Sequence, residues 1–474
     1  MWTICKECQG QGKINRGLSK KTQRRYQSEL ALYEQSQSTA PAPIRPKAHL
    51  HPCLNCSGSG LIQSENYLEP DSTKPHVAII GAGIGGVALA VACLHRGIPF
   101  TIYERDTHFD ARSQGYGLTL QQASKAMNGL GITSLGGVIS TKHIVHNTEG
   151  KVLGEWGTRK WLEEEIKNPA KRTNIHIARQ SLRLALLEQL GGNKSIQWGH
   201  QLLNLTASEN DVELNFQANG EIKTVKADLV VGADGIRSAV RKIIIGEDAT
   251  PLRYLDCIVI LGICPLSALE DVSSPLLDSA TVFQTANGNE RIYIMPYTAD
   301  SVMWQLSFPI SEKEAKELSA KGAKALKEEA CLRTKWHAPI PQILEATPEN
   351  LISGYPVYDR ELLHSELLQK NKNITLIGDA AHPMSPFKGQ GANQALLDAL
   401  KLARKIYKGC HTQSQWRTIG LRERVLNDFE TEMLERSAAK VKDSADAAQF
   451  LHSEIILREG DEPRGRCLKR EERL

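Results

Sequence analysis

The stretch His76–Arg105, HVAIIGAGIGGVALAVACLHRGIPFTIYER, decides the fold. Val77-Ala78-Ile79-Ile80 is a short apolar run bounded by turn residues, as in a buried parallel strand. Gly81, Gly83 and Gly86 then follow as G-x-G-x-x-G. The first glycine permits a tight turn, the second lets backbone approach a pyrophosphate, and the third lets the next helix lie close to the strand. That helix opens with free N–H groups and its positive dipole end toward the phosphates. A second strand, Phe100-Thr101-Ile102-Tyr103, ends at Glu104. A carboxylate about 20 residues past the turn can accept hydrogen bonds from a ribose.

Strand, glycine turn, helix, strand and acid in this order predict a dinucleotide site. Glu104 argues against a 2′-phosphate, because two anions would be forced together. FAD and NAD both fit, and this turn alone does not choose between them.

The chain has 474 residues, enough for two or three domains. A net charge of +4 is too small to argue for nucleic acid. No run approaches the roughly 18 apolar residues of a membrane span. Met1-Trp2-Thr3-Ile4-Cys5-Lys6 contains no apolar core of a secretory signal. Of ten cysteines, four form two tight pairs and the rest are scattered. That is no disulfide framework, and it predicts a reducing, cytoplasmic setting.

The two pairs lie in residues 1–72, a segment unlike the rest of the chain. Cys5-Lys6-Glu7-Cys8-Gln9-Gly10-Gln11-Gly12 and Cys53-Leu54-Asn55-Cys56-Ser57-Gly58-Ser59-Gly60 both read C-x-x-C-x-G-x-G. Cys5, Cys8, Cys53 and Cys56 supply four thiolates, the closed set of one structural zinc. The pattern resembles the cysteine-rich zinc region of J-domain co-chaperones. That region carries four such repeats; two are present here, and the likeness covers only these knuckles. Between them, Asn15 to Gln37 reads as a helical stretch striped by Leu18, Tyr26, Leu30 and Tyr33. Ser38 to Pro46 reads as a loop.

Further along, Gly115-Tyr116-Gly117-Leu118-Thr119-Leu120 precedes a helical run to Leu130. Ile175-His176-Ile177-Ala178 runs into Arg179 at a helix start. Leu229-Val230-Val231-Gly232-Ala233-Asp234-Gly235 is a second buried strand ending in a glycine-flanked acid. Ile374-Thr375-Leu376-Ile377-Gly378-Asp379-Ala380-Ala381-His382-Pro383 is a third. Pro386, Gly389, Gly391, Ala392 and Asn393 belong to a proline–glycine loop that opens the next helix. His382 reads as a structural turn residue.

In combination these motifs, from about His76 to about His452, resemble the FAD-dependent class A monooxygenases, the group that includes para-hydroxybenzoate hydroxylase and the tetracycline-inactivating monooxygenases. The resemblance implies a three-layer α/β, Rossmann-like FAD-binding domain with an inserted antiparallel β substrate domain, C-terminal helices and a small N-terminal zinc module. The expected boundaries are 1–72 for the zinc module, 73–420 for the FAD-binding body with its substrate sheet mainly at about 254–310, and 421–474 for a helical segment and charged, frayed tail. By the same resemblance, Gly81, Gly83, Gly86, Glu104 and Arg105 hold the ADP half of FAD. Arg179 lies near the flavin, Asp234 with Gly235 serves FAD and the nicotinamide, and Asp379 holds the ribityl chain. Pro386, Gly389, Gly391, Ala392 and Asn393 lie beneath the isoalloxazine, where a helix N-terminus favours negative charge on the reduced ring.

The resemblance further implies that NADH or NADPH acts as transient reductant, without a second glycine fingerprint. O2 then reacts through a flavin C4a-hydroperoxide, and a small aromatic, enolic or polyketide-like substrate is hydroxylated. Tyr116, Leu118, Phe283, Met295, Trp304, Met384 and Phe387 are candidate substrate contacts, though such side chains more often pack as core. No catalytic side-chain triad is expected. The alternatives are another FAD oxidoreductase on this scaffold, the tetracycline-inactivating type included, or a binding or regulatory protein that keeps the flavin frame and docks a protein partner through the zinc module. The W-x-W-x-I-P signature of many flavin halogenases is absent.

Overall fold

The computed structural model describes residues 1–35, 42–46, 50–66, 68–111, 116–121, 123–158, 174–192 and 195–465. Residues 36–41 of the expected helix and loop, Gly115, and residues 466–474 of the tail lie outside them.

Val77–Ile80 is the central strand of a five-stranded parallel sheet. The spatial order is Ile196–Gln197, Phe100–Tyr103, Val77–Ile80, Leu229–Gly232, Ile374–Leu376. Every residue of the three apolar strands Val77–Ile80, Leu229–Gly232 and Ile374–Leu376 is buried. Both faces are covered, so these strands read as continuous apolar runs and not as alternation. The register sets Ile80 beside both Tyr103 and Gly232, and Gly232 beside Leu376. Glu104, Asp234 and Asp379 therefore emerge together at the carboxyl edge, where open parallel sheets hold their ligands.

The helix Ile84–Leu94 leaves the glycine turn and packs against the helix Gly391–Gly409. Nine of its residues are buried, which explains an apolar sequence with no polar face.

A second, seven-stranded sheet has the order Val152–Trp156, Lys142–His146, Thr281–Ala286, Arg291–Thr298, Ser301–Pro309, Leu252–Pro265, Ile352–Arg360. Its pairs are antiparallel except Lys142–His146 with Thr281–Ala286. It extends beyond 254–310 at both ends, drawing strands from 142–156 and 352–360.

The two faces of this sheet do different work. Ile292, Ile294, Trp304, Leu306 and Phe283 pack with Leu326, Ile340, Ile343 and Leu344 of the covering helices. Trp304 is fully buried and its Nε1 donates to Thr347 Oγ1 at 2.8 Å. Residues one step away face a cavity, because strand side chains alternate. Phe283 and Trp304, expected as substrate contacts, are therefore core residues. Trp304→Phe should cost about 2 kcal/mol in a urea titration, through the lost hydrogen bond and ring volume. It should leave the KM for substrate unchanged; a shifted KM would return Trp304 to the pocket.

The C-terminal segment is not frayed over its described part. Gly460 N–H donates to Leu153 O at 2.9 Å, and Glu155 N–H donates to Asp461 Oδ1 at 3.0 Å. A Cβ at Gly154 would lie 2.0 Å from Gly460 O, so only glycine lets this strap cross the edge strand. At the N-terminus, Trp2–Ile4 pairs with Leu61–Gln63 and Lys13–Asn15 with Leu50–Pro52, both antiparallel. The helix Lys20–Gln35 buries none of its residues, so its apolar stripe covers no core.

Candidate functional site

One cavity of about 1080 Å³ runs from the glycine turn to the seven-stranded sheet. It slightly exceeds the roughly 300–1,000 Å³ typical of small-molecule sites.

At the turn, Gly81 has φ +103°, and a Cβ there would lie 2.7 Å from Ala233 O. A Cβ at Gly86 would lie 1.9 Å from Gly81 O, whereas at Gly83 it would meet nothing within 4 Å. Gly83 lines the cavity; Gly81 and Gly86 shape the turn behind it. Glu104 Oε2 accepts from Ala82 N–H at 2.7 Å and Oε1 from Asp106 N–H at 3.0 Å. Arg183, which the sequence reading missed, donates from Nε to Ala82 O at 2.8 Å and from Nη1 to Phe109 O at 3.2 Å. Its one signal was position: a charged residue one turn after Arg179, within the leucine stripe. Arg105 is exposed and does not line the cavity.

Asp234 is turned away from the cavity. Its Oδ2 accepts from Ala239 N–H at 2.7 Å and Val240 N–H at 3.2 Å, and its Oδ1 from Ser238 Oγ at 2.5 Å. The carboxylate caps the helix Ala239–Ile245, and it is Gly235 that faces the cavity.

Asp379 lines the cavity and makes no hydrogen bond among the described residues. It is open to the cavity yet ringed by protein. That desolvation pushes its pKa up, partly offset by His382 and Arg179. An unengaged carboxylate on the cavity wall suits the hydroxyls of a ribityl chain. Behind it, His382 Nε2 and Asp398 Oδ2 lie 2.7 Å apart. Asp398 also accepts from Gly378 N–H at 2.9 Å and Arg436 Nη2 at 2.6 Å. Burial would raise Asp398, but His382 and Arg436 hold it below the usual carboxylate range. His382 is thus a brace for the Gly378–Asp379 turn.

Pro386, Phe387, Gly389, Gly391 and Ala392 all line the cavity. Gly391 begins a 19-residue helix whose positive end opens there. Asn393 does not reach it. Its Oδ1 accepts from Gln121 and Ala123 N–H at 2.9 and 3.1 Å, and its Nδ2 donates to Thr119 O and Gly389 O at 2.9 and 2.8 Å. Asn393 latches two loops together. Met384 also lies outside the lining.

At the sheet end, Tyr116, Leu118 and Met295 line the cavity as expected. The Arg179 guanidinium lies 5.2 Å from the Tyr116 ring centroid. The sequence reading missed Arg291, Tyr293, Tyr355, His143, Trp156 and His176, which also face the cavity. Arg291 is 5 % exposed and donates from Nε to Gln284 Oε1 at 2.8 Å. Its guanidinium lies 4.9 Å from the Tyr293 ring centroid. Among the described residues no carboxylate pairs with it, and burial pulls its pKa down to about 10. His143 stacks on Trp156 with centroids 5.4 Å apart. Burial pushes His143 and His176 down to about 4, so both imidazoles are neutral at pH 7.

Away from this cavity, the sulfurs of Cys5, Cys8, Cys53 and Cys56 lie within 4.8 Å of one another. Gly12 N–H donates to Cys8 Sγ and Gly60 N–H to Cys56 Sγ, both at 3.2 Å.

Residues 74–417 match the family model described as FAD binding domain. The FAD-dependent monooxygenase thnD of Trichoderma harzianum is 27% identical over 77% of this chain and 91% of its own. The 6-hydroxynicotinate 3-monooxygenase of Bordetella bronchiseptica is 26% identical over 70% and 82%. Among solved structures, Klebsiella pneumoniae HpxO complexed with FAD and uric acid superposes with a TM-score of 0.65 at 19% identity, over 84% of this chain and 92% of that one. With the glycine turn, Gly235 and Asp379 around one cavity and the family match across most of its length, the chain belongs to the FAD binding domain family, and FAD is its cofactor.

Proposed function

We propose that the protein is an NAD(P)H-dependent FAD monooxygenase that hydroxylates a small aromatic or enolic substrate bound against the seven-stranded sheet. The observation that carries this reading is a cavity joining the glycine turn and Asp379 to an aromatic wall that includes Arg291. Bound FAD supplies the redox and oxygen chemistry. The chain binds, orients and excludes water. Gly83 and Gly235 leave room for backbone approach, Asp379 accepts from ligand hydroxyls, and Tyr116, Tyr293 and Tyr355 wall the substrate end.

Arg291 offers an unspent positive charge to a substrate oxyanion or carboxylate. Neutral His143 and His176 do not compete with it for that charge. The names of relatives agree in kind, one of them acting on 6-hydroxynicotinate. Arg291→Met should raise the substrate KM about 10–100-fold, the worth of one charge-assisted hydrogen bond. Flavin content should stay full and kcat should move only a few-fold. An unchanged KM would remove Arg291 from substrate binding.

No second glycine fingerprint accompanies the first, in keeping with a reductant that binds transiently. Anaerobic addition of NADH or NADPH followed by air tests the whole reading. Bleaching by one donor and recovery in air supports it and names the donor. Colourless protein that FAD cannot reconstitute overturns it.

We assign one structural zinc to Cys5, Cys8, Cys53 and Cys56. A tetrahedron with Zn–S of about 2.3 Å has sulfur–sulfur edges of roughly 3.8 Å. Here Cys5–Cys53 and Cys8–Cys56 are 3.9 and 3.7 Å apart. The described cysteines are all free, in keeping with a reducing cytoplasmic setting. Among the described residues no helix is long and apolar enough to cross a membrane.

A further inference from the structure

The cysteine module is seated on the far ends of the two helices that open onto the flavin cavity. Ile84 and Gly391, at the starts of those helices, line the cavity. The helices then run together, and a Cβ at Gly85 would lie 3.4 Å from Ala395 Cβ. One 11-residue helix length later, roughly 16 Å, they meet the knuckles. Arg96 follows the first helix and donates from Nη2 to Gly10 O at 3.2 Å. Arg404, on the second, donates from Nη2 to Ser59 O at 2.8 Å. Gln11 Nε2 returns a hydrogen bond to Arg404 O at 3.2 Å. Both knuckles are thus gripped, one by each arginine, through the glycine-rich turns that also donate N–H groups to sulfur.

The charges of this contact do not balance among protein groups alone. Arg96 is 1 % exposed, and the Nε atoms of both Arg96 and Arg404 are buried without a hydrogen-bond partner among the described residues. Among the described residues no carboxylate forms a salt bridge with either guanidinium. A buried guanidinium beside a half-buried one, without a counter-charge, is costly. Four thiols would bring no charge. A divalent ion held by four thiolates carries a net charge of −2, the sum needed to offset two guanidinium groups. That dianion would also face the carbonyl end of the Ile84–Leu94 helix, which repels negative charge. Arg96 answers this too, donating from Nη1 to Ala92 O at 2.9 Å.

We propose that the zinc tetrathiolate is the counter-ion of Arg96 and Arg404, and that through them metal occupancy is tied to the packing of the two helices bearing the flavin site. The proposal rests on the zinc assignment above, and the test separates the two. Full-length holoprotein is assayed for zinc per chain, then titrated with a chromophoric chelator to give zinc affinity. Wild type, Arg404→Met, Arg404→Lys and Arg96→Met are compared. Wild type should hold one zinc. Arg404→Met should weaken zinc by about tenfold or more, while Arg404→Lys, which keeps the charge, should lose less than about threefold. Arg96 is central enough that its methionine variant can fail to fold; the half-buried Arg404 keeps the test decisive. Stripping zinc from wild type should lower the temperature at which FAD is released, and by less in Arg404→Met. One zinc per chain with equal affinity in wild type and Arg404→Met would overturn the counter-ion role and leave the zinc site standing. Metal-free wild type with a folded N-terminal module would overturn both.

Discussion

A methyl group at position 86 should disrupt the nucleotide turn, whereas the same methyl at position 83 should leave the fold intact and cost only the flavin. At Gly86 the new Cβ would lie 1.9 Å from Gly81 O and 3.3 Å from Ile79 Cγ2. Neither neighbour can yield. Gly81 N–H is held by Tyr103 O at 2.8 Å, and Gly81 itself is wedged against Ala233. The helix Ile84–Leu94 must lift from the sheet, which exposes its buried apolar surface. We expect Gly86→Ala to cost about 4 kcal/mol or more and to lower the apoprotein Tm by roughly 10 °C. At Gly83 the backbone has φ −73°, which alanine adopts freely, and the added methyl touches no protein atom. It projects where the pyrophosphate must approach. Gly83→Ala should keep the apoprotein Tm within about 2 °C and weaken FAD by roughly a hundredfold, near 3 kcal/mol. Scanning calorimetry of stripped protein and FAD titration by flavin fluorescence read the two effects separately. A Gly86→Ala protein as stable as wild type would refute the close-packing role of that glycine.

Asp379→Ala should purify with little or no yellow colour. The carboxylate has no hydrogen-bond partner among the described residues, so its acceptors are free for the ligand. Losing two charge-assisted hydrogen bonds at about 1.5 kcal/mol each corresponds to roughly a hundredfold in FAD affinity. The apoprotein should not suffer, because burial already disfavours this charge and its removal relieves that cost. Asp379→Asn should fall between wild type and alanine, since an amide oxygen still accepts. Full FAD occupancy in Asp379→Ala would sink the assignment.

The parallel sheet and its edge were legible because the necessary chemistry is local. A strand buried on both faces has to be a continuous apolar run, and each of the three runs ends in glycine and acid, two of them within a few residues and the first across its helix. The cysteine knuckles were legible for the same reason. What was not legible depends on contacts distant in sequence. Asn393 sits in a loop motif that looks ligand-facing, yet its partners Gln121 and Ala123 lie 272 and 270 residues away and turn it inward. Asp234 was rightly placed at a strand end, but its carboxylate is consumed by the next helix. The strands at 142–156 were not legible because segments such as Lys142–His146 lack an unbroken apolar run. Trp304 and Phe283 were misdirected by a missing fact: which face of the sheet the helices between 312 and 346 would cover. Arg291 was invisible because its significance is that, among the described residues, no carboxylate pairs with it.

The alternation along Arg291–Thr298 and Ser301–Pro309 separates two kinds of heritable variation. Positions 293, 295, 303 and 305 face the cavity, and the register pairs Tyr293 with Gln305 and Met295 with Met303. Positions 292, 294, 304 and 306 belong to the covered face. A library randomised at the first set alone changes what the wall recognises while every member keeps the same hydrophobic backing. Randomising the second set would spend most of its members on unfolded chains. One scaffold can therefore diverge toward many substrates by drifting at every second residue of two neighbouring strands.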